Sequence, residues 1–254
     1  MKKHVRTILA VVFILVAVGC AAWLVRFYMD EAKGRQANEK AQQQAQTEKL
    51  PEESSDTDEV EIPVDFASLQ ATNPDVYAWI RIDGTNIDYP IVQNRQDNTY
   101  YLDHTWEGTE AAQGAIFTQT YNQKNFEDYN TVVYGHRMSD SNPVMFHDLL
   151  NYMDEEYLYS HQNVTVYTEE HIFTYRIFAA VVYDDRLIPL SYNFTEEGQR
   201  QEFLDSVFAS SDLRSQFAEN VEVTAQDKLL TLSTCIAGED HHRFLVEAVL
   251  TDET

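Results

Sequence analysis

Hydrophobic and polar positions divide the chain into three unlike stretches. Ile8 to Val25, "ILAVVFILVAVGCAAWLV", is a run of 18 residues without a charge. As a helix it would be about 27 Å long, close to the hydrocarbon thickness of a bilayer. Residues 30–60 are polar and rich in Gln, Glu and Ala. They hold too few large apolar positions to bury a face and read as a stalk or flexible spacer. From about residue 61 the pattern changes to short β-type runs. Two flank Asp83-Gly84, a hairpin signal, and others follow at "GAIFTQ", "NTVVYGH", "NVTVYT", "HIFTYRIFAAVVY", "KLLTLSTC" and "RFLVEAVL". Their Val, Ile, Tyr, Phe and Thr suit pleated, half-buried positions. Helical spacing is confined to "PVDFASLQATNPDVYAWI", compatible with a short helix or two interrupted at Pro74, to "PVMFHDLLNYMDEEYL" and to "TEEGQRQEFLDSVFASS", the last with Thr195 as its N-cap.

The pattern predicts a mostly β fold, a closed barrel with peripheral helices, one on its N-terminal side and one in the insert before the strand that ends at Cys235. The expected organisation is residues 1–29 as cytoplasmic N-terminus and transmembrane anchor, 30–60 as spacer, and 61–254 as one extracellular domain.

Charge sets the orientation. Lys2, Lys3 and Arg6 precede the apolar run and Asp30 and Glu31 follow it, which leaves the N-terminus in the cytoplasm and sends the rest outside the cell membrane. Trp23, Leu24 and Val25 come after the small residues of "AVGCAA", an order that favours an uncleaved anchor over a signal peptide; lipidation at Cys20 stays open. Net charge is −24 over 254 residues. All 42 acids but only 14 of the 18 basic residues lie after the anchor, so the exported part carries −28. Such a surface repels nucleic acid and anionic lipid, and neither is an expected partner.

Cysteine usage is more telling. Cys20 lies in the apolar run, which leaves Cys235 as the one exported thiol, with no partner for an intramolecular disulfide. It ends a β-type run, His136 follows another, and Arg243 opens the next run eight positions on. A hairpin would bring Arg243 back beside Cys235. Taken singly, the cysteine could be a small buried hydrophobe, the histidine a surface residue and the arginine a salt-bridge partner. Together they supply a nucleophile, a general acid/base and a cation for developing negative charge. Asp240, His241 and His242 do not make a persuasive metal set with Cys235, because adjacent histidines on a strand point to opposite faces. No glycine-rich phosphate loop is present, and no cofactor is expected.

The joint motif resembles the sortases, membrane-anchored cysteine transpeptidases of Gram-positive bacteria. Their Thr-Leu-x-Thr-Cys element is matched by Thr231, Leu232, Ser233, Thr234 and Cys235, their arginine by Arg243 and their histidine after glycine by Gly135 and His136. Ser233, the "YGH" spelling, the "NTYYLDH" stretch and the helix-containing insert look most like class B. The resemblance implies Cys235 as nucleophile, His136 as acid/base and Arg243 as oxyanion and substrate stabiliser. It further implies Ser233, Asn98 and Leu102 as substrate-groove residues, with Leu187 and Ile188 as a lid over the bound peptide. The implied partners are surface proteins bearing a C-terminal pentapeptide sorting signal and an amine of a peptidoglycan precursor or a pilin. Arg137 stands where class B members often have Asn, and Glu239 and Asp240 place negative charge near the thiol. Two rival readings are a surface cysteine protease that lets water resolve the thioester and a non-catalytic anchored scaffold bridged through Cys235.

Overall fold

The computed structural model describes residues 2–46 and 61–254. The apolar run forms the first half of one helix, α1 (Lys2–Ala45), which from Arg6 onward is long and apolar enough to cross a membrane. Its large apolar side chains from Ile8 to Met29 are exposed.

The expectation of a flexible spacer is corrected over residues 30–45, which continue α1 and lie against the folded domain. Gly34, Ala37, Ala41 and Ala45 recur at helical spacing and are buried. That stripe of small residues is an interface, because small side chains let the helix backbone come close. A Cβ on Gly34 would overlap the Gln113 side chain. The Trp106 indole N–H donates to the Ala37 carbonyl at 2.7 Å, and the Ala112 N–H donates to the Asp30 carboxylate at 2.9 Å. Residues 47–60 of the expected spacer lie outside the described residues.

After the short helix α2 (Phe66–Thr72), N-capped by the Asp65 carboxylate, strands β1 (Val76–Arg81) and β2 (Asp88–Val92) pair antiparallel. Their connection contains Gly84 at φ +80°, where the left-handed conformation favours glycine. β3 (Ile116–Thr118) runs parallel to β2, and β4 (Asn130–Tyr134) antiparallel to β3. The helix α3 (Glu155–Ser160) precedes β5 (Asn163–Tyr167) and the long β6 (Ile172–Asp184). The insert then supplies one turn, α4 (Ile188–Ser191), the helix α5 (Glu197–Phe208) and the short β7 (Gln216–Phe217). The chain ends with β8 (Leu229–Ile236) and β9 (Glu239–Glu253).

The sheet order is β5-β1-β2-β3-β4-β8-β9-β6-β7, and β5 also pairs with β6. Eight strands therefore close into a barrel, with β7 attached outside the ring and the helices peripheral. Thr195 does not cap α5. Its hydroxyl donates to the Asn193 side chain at 2.7 Å, and Glu196 takes the capping position.

Strand alternation sorts the side chains into two layers. Leu230, Leu232, Phe244, Val246 and Ala248 fill the barrel interior. Leu229, Leu245 and Val249 point outward and are covered by Phe203, Leu204 and Val207 of α5. By the two-residue period, Thr231, Ser233, Cys235, Arg243 and Glu247 share that outer face.

Candidate active site

The outer face of β8 is flanked by β4 on one side and β9 on the other. In the parallel β4–β8 pair Tyr134 lies level with Ser233, and the Gly135 N–H donates to the Ser233 carbonyl at 3.2 Å. Two residues further along, His136 comes level with Cys235. In the antiparallel β8–β9 pair Cys235 stands opposite Arg243. Neighbouring strands are about 4.8 Å apart, so imidazole, sulfur and guanidinium rise from one row about 10 Å long. The thiol is exposed, and a cleft of about 220 Å³ opens over the row.

Local sequence explains each placement. Gly135 allows β4 to run tight on the core, because a Cβ there would overlap Ile116 and Phe146. The His136 ring Nε2 donates to the Leu102 carbonyl at 2.8 Å, which fixes the ring against the cleft's edge. β8 and β9 meet in a two-residue turn whose Gly238 has φ +78°. Beyond it the pairing slips: Ile236 faces Glu239 while Cys235 faces Arg243, so residues 240–242 bulge. Such a bulge re-aims a side chain next to it. Here the freed carbonyls of Asp240 and His242 accept Arg243 Nη1 at 3.0 and 2.8 Å, leaving Nε and Nη2 for a substrate.

The acids of this loop are partly neutralised. Arg214 grips the Glu239 carboxylate at 2.7 and 3.2 Å and holds it below the usual carboxylate range, and His242 adds a contact at 3.0 Å. Arg137 likewise bonds Asp140 within its own short loop.

Of the residues expected in the substrate groove, Ser233, Leu102 and Leu187 line the cleft. Asn98 and Ile188 do not. The Asn98 side chain instead accepts the Thr120 N–H at 2.8 Å and so shapes the cleft wall from behind. Ile188 is 3% exposed and belongs to the outer core layer, because the turn of α4 directs it inward. Residues that the sequence reading missed are Phe117, Gln119 and Tyr134 on one wall, with Asp185 and Arg186 on the other. Tyr134 was within reach of that reading, since two positions before His136 on a strand is the same face. Gln119 Oε1 and the Tyr134 hydroxyl are buried without a hydrogen-bond partner. Burial pushes the Tyr134 phenol up, so it stays a neutral donor. Neither atom is open to the cleft. A thiol, an imidazole and a guanidinium in one row are the groups that acyl transfer through a thioester requires.

Known proteins of similar sequence and fold belong to one family. The sortase domain family matches residues 80–251. Sortase B of Listeria monocytogenes is 33% identical over 183 residues, covering 72% of each chain. Sortase B of Staphylococcus aureus is 25% identical over 233 residues, 92% of this chain and 90% of that one. Among solved structures, sortase B from Bacillus anthracis superposes with a TM-score of 0.72 at 30% identity, over 89% of this chain and 99% of its own.

Proposed function

The chain belongs to the sortase family, with class B-like relatives, and from that premise we propose that it cleaves a C-terminal sorting signal after a threonine and joins the new carboxyl to an amine. The observation that carries the reading is the row of His136, Cys235 and Arg243 under one open cleft. The Cys235 sulfur attacks the scissile carbonyl carbon. Arg243 meets the negative charge that develops on oxygen, together with backbone N–H groups. His136 delivers a proton to the departing nitrogen as the C–N bond breaks. An incoming amine then attacks the thioester and gives its proton to His136, and sulfur leaves as the new amide forms.

A Staphylococcus aureus sortase B has been solved as a substrate complex, and a sortase B has been solved in complex with triglycine. Those complexes support a peptide donor and an amine acceptor here, with a peptidoglycan precursor or a pilin supplying the amine. The apolar segment of α1 supports anchoring in the cell membrane with the barrel outside. The full-length chain, incubated with a pentapeptide library and several amines, should yield ligated products, and Cys235→Ala should trap none. Hydrolysis alone, unchanged by added amine, would make it a protease instead.

A further inference from the structure

The ring of His136 and its main chain are held by two separate segments, and α1 lies against both. The ring bonds the Leu102 carbonyl. Leu102 belongs to a loop, residues 101–115, closed at its neck where the Ala115 N–H donates to the Tyr101 carbonyl at 3.0 Å and the Ala111 N–H to the Asp103 carbonyl at 2.9 Å. Gly114 lies on the returning limb of that loop at φ +60°, and a Cβ there would overlap the carbonyl oxygens of Tyr101 and Leu102. The returning limb therefore backs directly onto the oxygen that orients the imidazole. On the main-chain side, the Phe146 N–H donates to the His136 carbonyl at 3.0 Å, and Arg137 pairs with Met145 in an isolated bridge. Met145 has φ +59°, a conformation that non-glycine residues rarely adopt and that their surroundings must enforce.

α1 meets both segments along one face. The Asp30 carboxylate accepts the Ala112 N–H at 2.9 Å, Gly34 lies on the Gln113 side chain, the Ala37 carbonyl accepts the Trp106 indole N–H at 2.7 Å, and Lys40 pairs with Glu107. All four partners belong to the 101–115 loop. Between these contacts, Asn38 Nδ2 donates to Met145 Sδ at 3.5 Å and so reaches the second segment. Ala37, Ala41 and Ala45 also share a core layer with Tyr101, Trp106 and Ala115. The outgoing limb has an anchor of its own in the barrel, because the Tyr101 hydroxyl donates to Asp75 at 2.8 Å and accepts Asn73 Nδ2 at 2.8 Å. The returning limb is held at Ala112 and Gln113 by Asp30 and Gly34 of α1.

We propose that docking of α1 positions the His136 imidazole for proton transfer. With the arm seated, the returning limb keeps the Leu102 carbonyl against Nε2 and Asn38 steadies Met145 behind the His136 main chain. With the arm released, both supports loosen while the thiol and Arg243, carried on β8 and β9, stay in place. Asp30, Gly34, Asn38 and Ala41 are then positioning residues that act through the loop. This rests on the transpeptidase reading.

The test uses the full-length chain in detergent micelles. Asp30→Ala combined with Ala41→Leu releases the arm, read as protease cleavage within residues 30–46, and a thermal melt checks the barrel. Asp30→Asn is the conservative control, since its amide oxygen still accepts the Ala112 N–H. With the library-selected pentapeptide, the released chain should form the thioester about 10–100-fold more slowly, through kcat, with KM within about twofold of wild type. Nitrogen NMR of labelled histidine, with the His136 signals assigned by their loss in His136→Gln, should show the ring pass from the Nε2–H tautomer to a mixture of tautomers. Asp30→Asn should match the wild type in both readouts. A released arm with a wild-type rate and an unmixed tautomer would show that Tyr101 holds the loop alone, and overturns the proposal. So does a loss confined to KM, which would make the arm part of the peptide site, and so does an arm that the double substitution fails to release. The tautomer is read without substrate and separates the two failures: no thioester in the wild type removes the transpeptidase reading, whereas an unchanged tautomer on release removes the positioning.

Discussion

The imidazole of His136 donates through Nε2 to the main-chain carbonyl of Leu102 over 2.8 Å. A backbone carbonyl, rather than a carboxylate, sets the ring's orientation and tautomer. Among the described residues no hydrogen bond joins this ring to the Cys235 thiol. His136→Gln can keep an N–H near Leu102 but cannot accept and release a proton. Thioester formation should fall by about 10²–10⁴, the usual worth of a positioned acid/base, with the thermal midpoint nearly unchanged. Single-turnover rates within tenfold of wild type would remove His136 from proton transfer.

Arg243 is held through Nη1 by two carbonyls of its own bulge and lines the same cleft as Cys235. Lysine at this position would carry the charge on a compact group that cannot hold the bulge and meet an oxyanion together. Arg243→Lys should lose about 10²-fold or more in kcat/KM, comparable to deleting an oxyanion donor. Wild-type turnover by that variant, measured with the library-selected peptide, would contradict the role.

The barrel and the juxtaposition of His136, Cys235 and Arg243 were legible because both rest on local patterns. Strand alternation marked β4, β8 and β9, and the eight-residue interval from Cys235 to Arg243 matched a hairpin. The bulge that makes that interval work was not visible, since it depends on a slipped pairing rather than on residue type. Nor was the docking of residues 30–45, because alanine and glycine register as weakly apolar while their small size is what lets backbones approach. Ile188 was misplaced for a related reason. One turn of helix decides which of two adjacent apolar residues faces the cleft, and Leu187 took that place.

Glu247 gives the fold a pH dependence of unusual sign for a carboxyl. It is fully buried, shares a 2.8 Å hydrogen bond with the Thr231 hydroxyl, and desolvation raises it from 4.5 to about 8. The folded chain therefore binds this proton more tightly than the unfolded chain. Its stabilising contribution is complete below about pH 4.5 and is lost as pH rises toward 8, with a slope of up to about 1.4 kcal/mol per pH unit. Glu247→Gln keeps a donor for Thr231 and removes the titration. Thermal midpoints from pH 5 to 9 should fall less steeply in the variant than in the wild type, and parallel curves would exclude a neutral buried Glu247.

Docking of α1 begins at Asp30, five residues after the apolar run ends at Val25, which is about 7.5 Å of helix. In a chain anchored through that run, the barrel would sit close to the bilayer surface on a rigid arm instead of swinging on a tether. Ala41 is 0% exposed at the centre of the contact. Ala41→Leu adds volume where there is no room and should cost the docked arm about 1–3 kcal/mol. Trp106→Phe, which removes the N–H bonded to Ala37, should cost about 1 kcal/mol. Proteolysis of the micelle-held chain should then cut within residues 30–46 faster in Ala41→Leu than in the wild type, with the barrel itself still protected. Equal cleavage of both would show that the small-residue stripe does not hold the arm down.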